Sequence, residues 1–327
     1  MFLRQHPSIL KTPYVDIHFS ARQKSIDSVV GWGLKPLSKF LKLVASLTRS
    51  EYLTAEDGFL CYLGHPCKGA SRMGLILDSS GIYYDSRNPS DLEAYVIQRS
   101  QSHIIESDLK VVRSYIKCLV DNGVGKYFER RGGSSASSDY SGCVVLVEQI
   151  FGDCSMKYGQ CSNVTADEVI RYALKLADGR PVLFKNHPDL VNEKKGKVGF
   201  FSKASKSLLE KLVYLDPCVK NNDVLALASD VVTLTSQFGF EALLARKNVH
   251  CFGQPFYSGW GLTVDVHESE KLVDRRGSIC QPTLEDLFLA AYSDYTTYVS
   301  PKTGKQIKLN EMLKILTGQE MPTCGAI

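Results

Sequence analysis

Between residues 143 and 251, short apolar runs alternate with helical stretches, and this alternation constrains the fold more than any other feature. The segments 143–148, 181–185, 212–215 and 231–234 read as strands, the first and last of them almost wholly apolar. The stretch 165–177 reads as a helix, because Thr165-x-x-Glu168 forms a capping box at its start and Gly179 follows its end. Residues 223–228 read as a second, short helix. Strands separated by helices in this order predict an α/β fold with a parallel, doubly wound sheet. Active sites of such sheets lie at the carboxyl ends of the strands.

Three motifs fall at that edge. Gln149-Ile-Phe-Gly-Asp153 follows the first strand, so Asp153 stands where a nucleophile or general base belongs, or where an Asp caps a loop. Lys185-Asn186-His187-Pro188-Asp189 follows the next strand. Lys185 and His187 share a face of an extended chain, where they could meet a phosphate or carboxylate. The bland alternative is a strand-end turn fixed by Pro188. The third motif is TSQFGFEALLARKNVHCFGQPFYSGWGLT, from Thr235 to Thr263. Ser236 and Gln237 begin a helix there, and the unpaired N–H groups of a first helical turn favour an anion. Residues 238–244 predict an amphipathic helix with Glu241 one turn in, where a carboxylate could accept both hydroxyls of a ribose. The loop that follows carries Phe256, Tyr257 and Trp260 among glycines. Residue types alone leave it open between a packed turn and a nucleotide site.

The first half is less regular. Residues 25–32 read as a buried strand ending at Gly33, and 73–85 as a hairpin turning on Ser79-Ser80-Gly81. A Ser90-x-x-Glu93 box opens a helix, and a long helical pattern runs from 109 to about 128. Glu56-Asp57-Gly58-Phe59 lies near a strand end. Its paired acids suit a turn or an acid–base site, and no third ligand is evident for a metal. The Ser- and Gly-rich stretch 130–142 reads as an interdomain linker. Further helices are expected over 283–292 and 310–316.

Two domains suit 327 residues. The net charge of +4 is spread along the chain, and the basic run at 194–197 is short and lacks aromatics, so no nucleic-acid surface is predicted. The amino-terminal residues have neither the apolar core nor the cleavage site of a signal peptide, and no segment approaches the roughly 20 apolar residues of a membrane span. The ten cysteines form no CxxC pair or zinc-like spacing, which fits reduced thiols in the cytoplasm. The histidines at 6, 18, 65, 103, 250 and 267 have no partners at telling spacing.

Taken together, the motifs resemble the KpsC-type β-Kdo transferases of bacterial capsule biosynthesis. The resemblance is carried by Val30-Gly31-Trp32-Gly33, Glu56-Asp57-Gly58-Phe59, the LILDSSGIYYD stretch, Gln149-x-x-x-Asp153, Lys185-x-His187-Pro188-Asp189, the Thr235–Thr263 stretch and Arg275-Arg276-Gly277. The Thr235–Thr263 stretch looks most like that of the first of the two modules in full-length members. The resemblance implies a GT-B-like glycosyltransferase: two Rossmann-like domains with the active site in the cleft between them. It places an acceptor-side domain at 1–135, a CMP-Kdo-binding domain at 136–282, and helices at 283–327 that pack back across the cleft. It implies a retaining double displacement on CMP-Kdo, with no cofactor and no obligatory metal. The acceptor would be a Kdo-terminated glycolipid, part of the linker on a lysophosphatidylglycerol anchor. Asp153 would be the nucleophile, His187 would assist departure of CMP, and Glu56 or Asp57 would be the acceptor-side base. Gln149, Lys185, Pro188, Ser236, Gln237, Glu241, Tyr257 and Trp260 would bind substrate. The resemblance also implies a cytoplasmic protein, peripheral on the inner membrane, within a capsule biosynthesis and export complex. One rival is a KpsS-like transferase adding the first Kdo to lipid, and another is a non-catalytic assembly or export partner. Two departures stand out: Cys61 and Tyr62 replace an Arg and a Ser of the family pattern, and the chain carries one module.

Overall fold

The computed structural model describes residues 28–64, 69–129, 137–191 and 196–325. The first half opens with strand β1 (Ser28–Trp32), helix α1 (Pro36–Thr48) and strand β2 (Glu51–Asp57). Pro36 sits in the first turn of α1, where its missing N–H costs nothing, and Arg49 ends the helix in the left-handed region at φ 54°. A short strand β3 (Tyr62–Leu63) precedes β4 (Gly74–Asp78), and helices α2 (Asp91–Gln101) and α3 (Glu106–Asn122) lead to β5 (Tyr127–Phe128), which pairs in parallel with β3.

Two expectations for this half are corrected. The stretch 73–85 is not a hairpin: β4 pairs antiparallel with β2. Asp78 then turns the chain away, its Oδ1 accepting the backbone N–H groups of Ser80 at 2.9 Å and Gly81 at 2.7 Å. The helix expected to reach 128 stops at Gly123, which takes φ 63°, and residues 127–128 become β5. Ser90 does cap α2, accepting the Glu93 N–H.

The second half contains β6 (Cys143–Val147), α4 (Cys154–Tyr158), α5 (Ala166–Ala177), β7 (Val182–Lys185), α6 (Pro188–Val191), α7 (Lys206–Leu209) and β8 (Val213–Tyr214). It continues through α8 (Asn221–Leu227), β9 (Ala228–Thr233), α9 (Gln237–Leu244), β10 (Asn248–Cys251), β11 (Val264–Asp265) and α10 (Glu270–Arg275). Its six strands run in the order β11-β10-β9-β6-β7-β8, every pair parallel. The capping box of Thr165 and Glu168 is complete at the start of α5. Helix α9 is not amphipathic. Phe238, Gly239, Phe240, Ala242, Leu243 and Leu244 are all buried, because it lies between the sheet behind it and helices of the other half.

The chain then returns to the first half. Helix α11 (Leu284–Leu289) continues into a π-helical turn, Ala290–Asp294, before strands β12 (Thr296–Val299) and β13 (Gln306–Ile307) and helix α12 (Leu309–Thr317). Strand β12 pairs with β4, so the first sheet has the order β1-β2-β4-β12-β13. Only β1 and β2 run parallel in it. The carboxyl-terminal stretch thus supplies two strands besides the expected helices. The fold is α/β and GT-B-like, with one sheet on each side of a cleft. The halves share a core beneath that cleft: Phe59 of the first meets Phe256 of the second at 4.7 Å between rings, and Phe240 meets Tyr292 at 5.7 Å.

Candidate active site

Between the two sheets lies a cavity of about 910 Å³. Its second-half wall is the carboxyl edge of the parallel sheet. Strand β6 delivers Glu148 and Gln149. Gln149 is buried, and its Oε1 accepts the Thr235 N–H at 2.7 Å while its Nε2 donates to the Thr235 hydroxyl at 3.1 Å. A turn then places Asp153 at the N-cap of α4, exposed to the cleft, with the Ser155 hydroxyl donating to its carboxylate at 3.0 Å.

Strand β7 delivers Lys185, whose ammonium stands 4.9 Å from the centre of the Phe238 ring. Glu241 faces the same wall and accepts from the Asn221 side chain at 2.8 Å. Burial pushes Lys185 down and raises Glu241 to about 7, while their mutual attraction opposes both shifts. The Asp189 N–H donates to His187 Nδ1 at 3.1 Å, so the neutral ring carries its proton on Nε2. Burial lowers His187 to about 4 and keeps the ring neutral near pH 7. Pro188, which opens α6, also lines the cavity. At the start of α9, Ser236 Oγ accepts the Phe238 N–H at 3.2 Å, and Gln237 reaches across to donate to the Phe59 carbonyl at 2.8 Å.

The first-half wall is the end of β2. Glu56 and Asp57 both line the cavity but differ in state. Asp57 accepts from Arg72 at 2.6 Å and Tyr62 at 3.1 Å, with the Lys126 ammonium at 3.5 Å. Burial alone would raise Asp57, but these cations hold it below the usual range. Burial raises Glu56, and Lys126 only partly offsets it. Lys126 itself stays protonated: burial opposes its charge, and Tyr83, Asp57 and Glu56 outweigh it. The site thus pairs an exposed carboxylate with a neutral histidine, a lysine and a helix start on one wall, facing an elevated carboxylate and a half-buried cation on the other. That set suits a nucleophile, an anionic leaving group and a base.

A profile described as "Capsule polysaccharide biosynthesis protein" matches residues 27–116 and 101–298. The chain belongs to the capsule polysaccharide biosynthesis family. It is similar in structure to the Thermosulfurimonas dismutans KpsC β-Kdo 2,4 transferase, with a TM-score of 0.76 and 30% identity over 89% of each chain. The KpsC β-Kdo 2,7 transferase of the same organism gives 0.64 and 25%, covering 91% of this chain and 86% of that one. The capsule polysaccharide modification protein LipA of Neisseria meningitidis serogroup A is 29% identical over 94% of this chain. The match spans 43% of LipA's own length.

In this capsule-family chain, two candidates leave the site. Tyr257 and Trp260 are core residues, 0% and 2% exposed, and do not line the cavity. Tyr257 donates to the Ser236 carbonyl at 2.6 Å, and Gly239 permits that approach, since a Cβ there would stand 2.2 Å from the Tyr257 hydroxyl. Trp260 donates to the Phe256 carbonyl at 2.9 Å. Buried Arg276 donates to the Pro255 and Ser258 carbonyls and so packs the loop from behind. Phe256 alone of the three aromatics reaches the cleft. Asp57 stays ionised, but its three donors lower its basicity relative to Glu56. Where the family pattern has Arg and Ser, Cys61 is fully buried and its thiol is pushed up to about 12, while Tyr62 bonds Asp57. A guanidinium still reaches that carboxylate, from Arg72, which also lies 4.6 Å over the Trp32 ring.

Two site residues escaped the sequence reading. Glu148 is buried beside the cleft, bonded by the Gln149 and Phe201 N–H groups, and burial raises it to about 7. Lys126 is the other. The histidines at 6, 18 and 65, the first two residues of the basic run at 194–197, and most of the expected linker lie outside the described residues. Lys197 of that run pairs with Asp189. Of the other histidines, His250 bonds Tyr172 at 2.9 Å and His267 meets Glu168 at 2.9 Å, away from the cleft.

Proposed function

We propose that this chain is a retaining β-Kdo transferase that uses CMP-Kdo to extend a Kdo-terminated glycolipid in capsule biosynthesis. The observation that carries the reading is the convergence, in one cleft, of Asp153 with His187, Lys185 and the start of α9, opposite Glu56 and Lys126. The likeness to KpsC transferases supports it.

In this reading the phosphate of CMP meets the start of α9, Lys185 and the Nε2–H of His187. Glu241 takes the ribose hydroxyls. Asp153 attacks the anomeric carbon of Kdo: a carbon–oxygen bond to the carboxylate forms, the bond to phosphate breaks, and CMP leaves with the electron pair. Glu56 then takes the proton of the acceptor hydroxyl, which attacks the same carbon from the other face and releases Asp153. Two inversions give retention. Lys126 offers a cation for a sugar carboxylate. Charge on the leaving phosphate is met by protein groups, so no metal is invoked; among the described residues no cluster of three His, Cys, Asp or Glu side chains stands ready for one. The protein would act at the inner membrane, although no helix among the described residues is long and apolar enough to cross one.

The test is incubation with CMP-Kdo and a synthetic Kdo-terminated acceptor, read by mass spectrometry. One added Kdo is expected. A folded protein that leaves a competent acceptor unchanged sinks the reading, and transfer to bare lysophosphatidylglycerol alone would favour the first-Kdo reaction instead.

A further inference from the structure

We propose that the outer face of α1 is a docking surface for an anionic lipid bilayer. Soluble helices bury their large apolar residues and expose small polar ones. Helix α1 does the reverse. Its buried positions are the small Ser38 and Ala45, and Ser38 Oγ donates to the Trp32 carbonyl at 2.9 Å, drawing the helix close to the sheet. Leu41 and Val44 are half-buried, but its other large apolar residues point outward: Leu37 is 66% exposed, Phe40 60%, Leu43 56% and Leu47 76%. Spacings of three and four residues set them on one face, a ridge along a helix roughly 20 Å long. Isolated exposed leucines are ordinary, but a continuous apolar ridge marks an interaction surface.

Charge decides the partner. The charges in and at the ends of this helix are all cations, Lys35, Lys39, Lys42 and Arg49, with Lys39 beside the ridge and the Lys42 ammonium 5.9 Å from the centre of the Tyr52 ring, and no acidic residue occurs between Gly33 and Glu51. An exposed apolar stripe on a helix whose only charges are cations is the composition of a helix lying in a lipid–water interface with anionic headgroups. Lys35 also lines the cleft, so a helix flat on the bilayer sets the cleft mouth beside the headgroups. That consequence bears on the glycolipid reading above; the docking itself rests on α1 alone.

The test is flotation of the full chain with vesicles of phosphatidylcholine plus phosphatidylglycerol, against phosphatidylcholine alone. Enrichment on the anionic vesicles is expected. The double variant Phe40→Glu/Leu47→Glu should bind at least about tenfold more weakly. Lys39→Glu/Lys42→Glu should lose roughly fivefold per residue, and added salt should weaken the wild type. In Phe40→Trp the emission should shift to the blue on anionic vesicles only. All variants keep the melting profile of the wild type, because the substituted side chains are exposed. Three results overturn the proposal: no enrichment on anionic vesicles, unchanged binding by the Phe40→Glu/Leu47→Glu variant, or a wild-type dimer that this variant splits. Transfer to a short, water-soluble Kdo acceptor stays intact in the ridge variants, which separates failure of docking from failure of the catalytic reading.

Discussion

The Gln149 side chain closes a two-bond clamp on Thr235, accepting its backbone N–H and donating to its hydroxyl. The clamp joins the ends of β6 and β9, and so fixes Asp153 relative to the start of α9. Gln149→Leu leaves a buried N–H and hydroxyl without these partners, which costs about 1–3 kcal/mol. The melting midpoint should fall by a few degrees, and CMP should bind more weakly in a calorimetric titration. Wild-type CMP affinity in the variant would show that the clamp does not organise the site.

Asp153→Asn keeps the size of the side chain and removes the nucleophilic charge. Transfer should drop at least about a thousandfold, while CMP affinity changes little. Near-normal turnover would remove Asp153 from the nucleophile role.

His187 titrates near 4, below its ordinary 6.5, because burial disfavours its charged form. Its neutral ring therefore persists from pH 5.5 to 8, and the activity profile should carry no histidine step there. His187→Ala should lower kcat roughly 10²- to 10³-fold, as loss of a donor at developing charge does. NMR of the imidazole C–H signals checks the state directly, and titration near 6.5 would contradict it.

Glu148 has the opposite sign. Its folded value of about 7 lies above the ordinary 4.5, so the folded chain holds a proton that the unfolded chain has lost. Stability from this group is fully present below pH 4.5 and declines as the pH rises to about 7. Glu148→Gln should flatten that decline in denaturant titrations and gain stability above pH 7. A pH dependence as steep as the wild type's would discount the buried carboxyl.

Glu93 receives Arg275 at 2.7 Å and Arg276 at 2.8 Å, and Arg276 is 1% exposed. Glu93→Gln strands that buried charge, a change that typically costs about 3–5 kcal/mol. Chemical denaturation should register the loss. A change below about 1 kcal/mol would mean that the carbonyls of Pro255 and Ser258 suffice for Arg276.

Much of the second half was legible because each strand is a short apolar run ended by polar residues, which brings Gln149, Asp153, Lys185, His187 and Ser236 to one edge. The first half was harder. The run 73–85 alternates like a hairpin, but Asp78 spends its carboxylate on the following turn, and the partner strands lie at 51–57 and 296–299. Glu148 and Lys126 carry no motif; burial gives them their importance, and burial is a tertiary property. The aromatic-Gly loop was ambiguous because packing and ligand binding use the same residues. Burial and backbone hydrogen bonds to the Ser236 and Phe256 carbonyls make Tyr257 and Trp260 packing residues.

Strands β12 and β13 give the two sheets different timetables on the ribosome. The parallel sheet is complete once residue 265 has emerged, and its pairings stay within 143–265. The other sheet needs β4 to find β12 more than two hundred residues later. Domains fold as they are made, and long-range strand pairing is slow. The half made first therefore finishes last, and the cleft closes into shape only when β12 and β13 arrive.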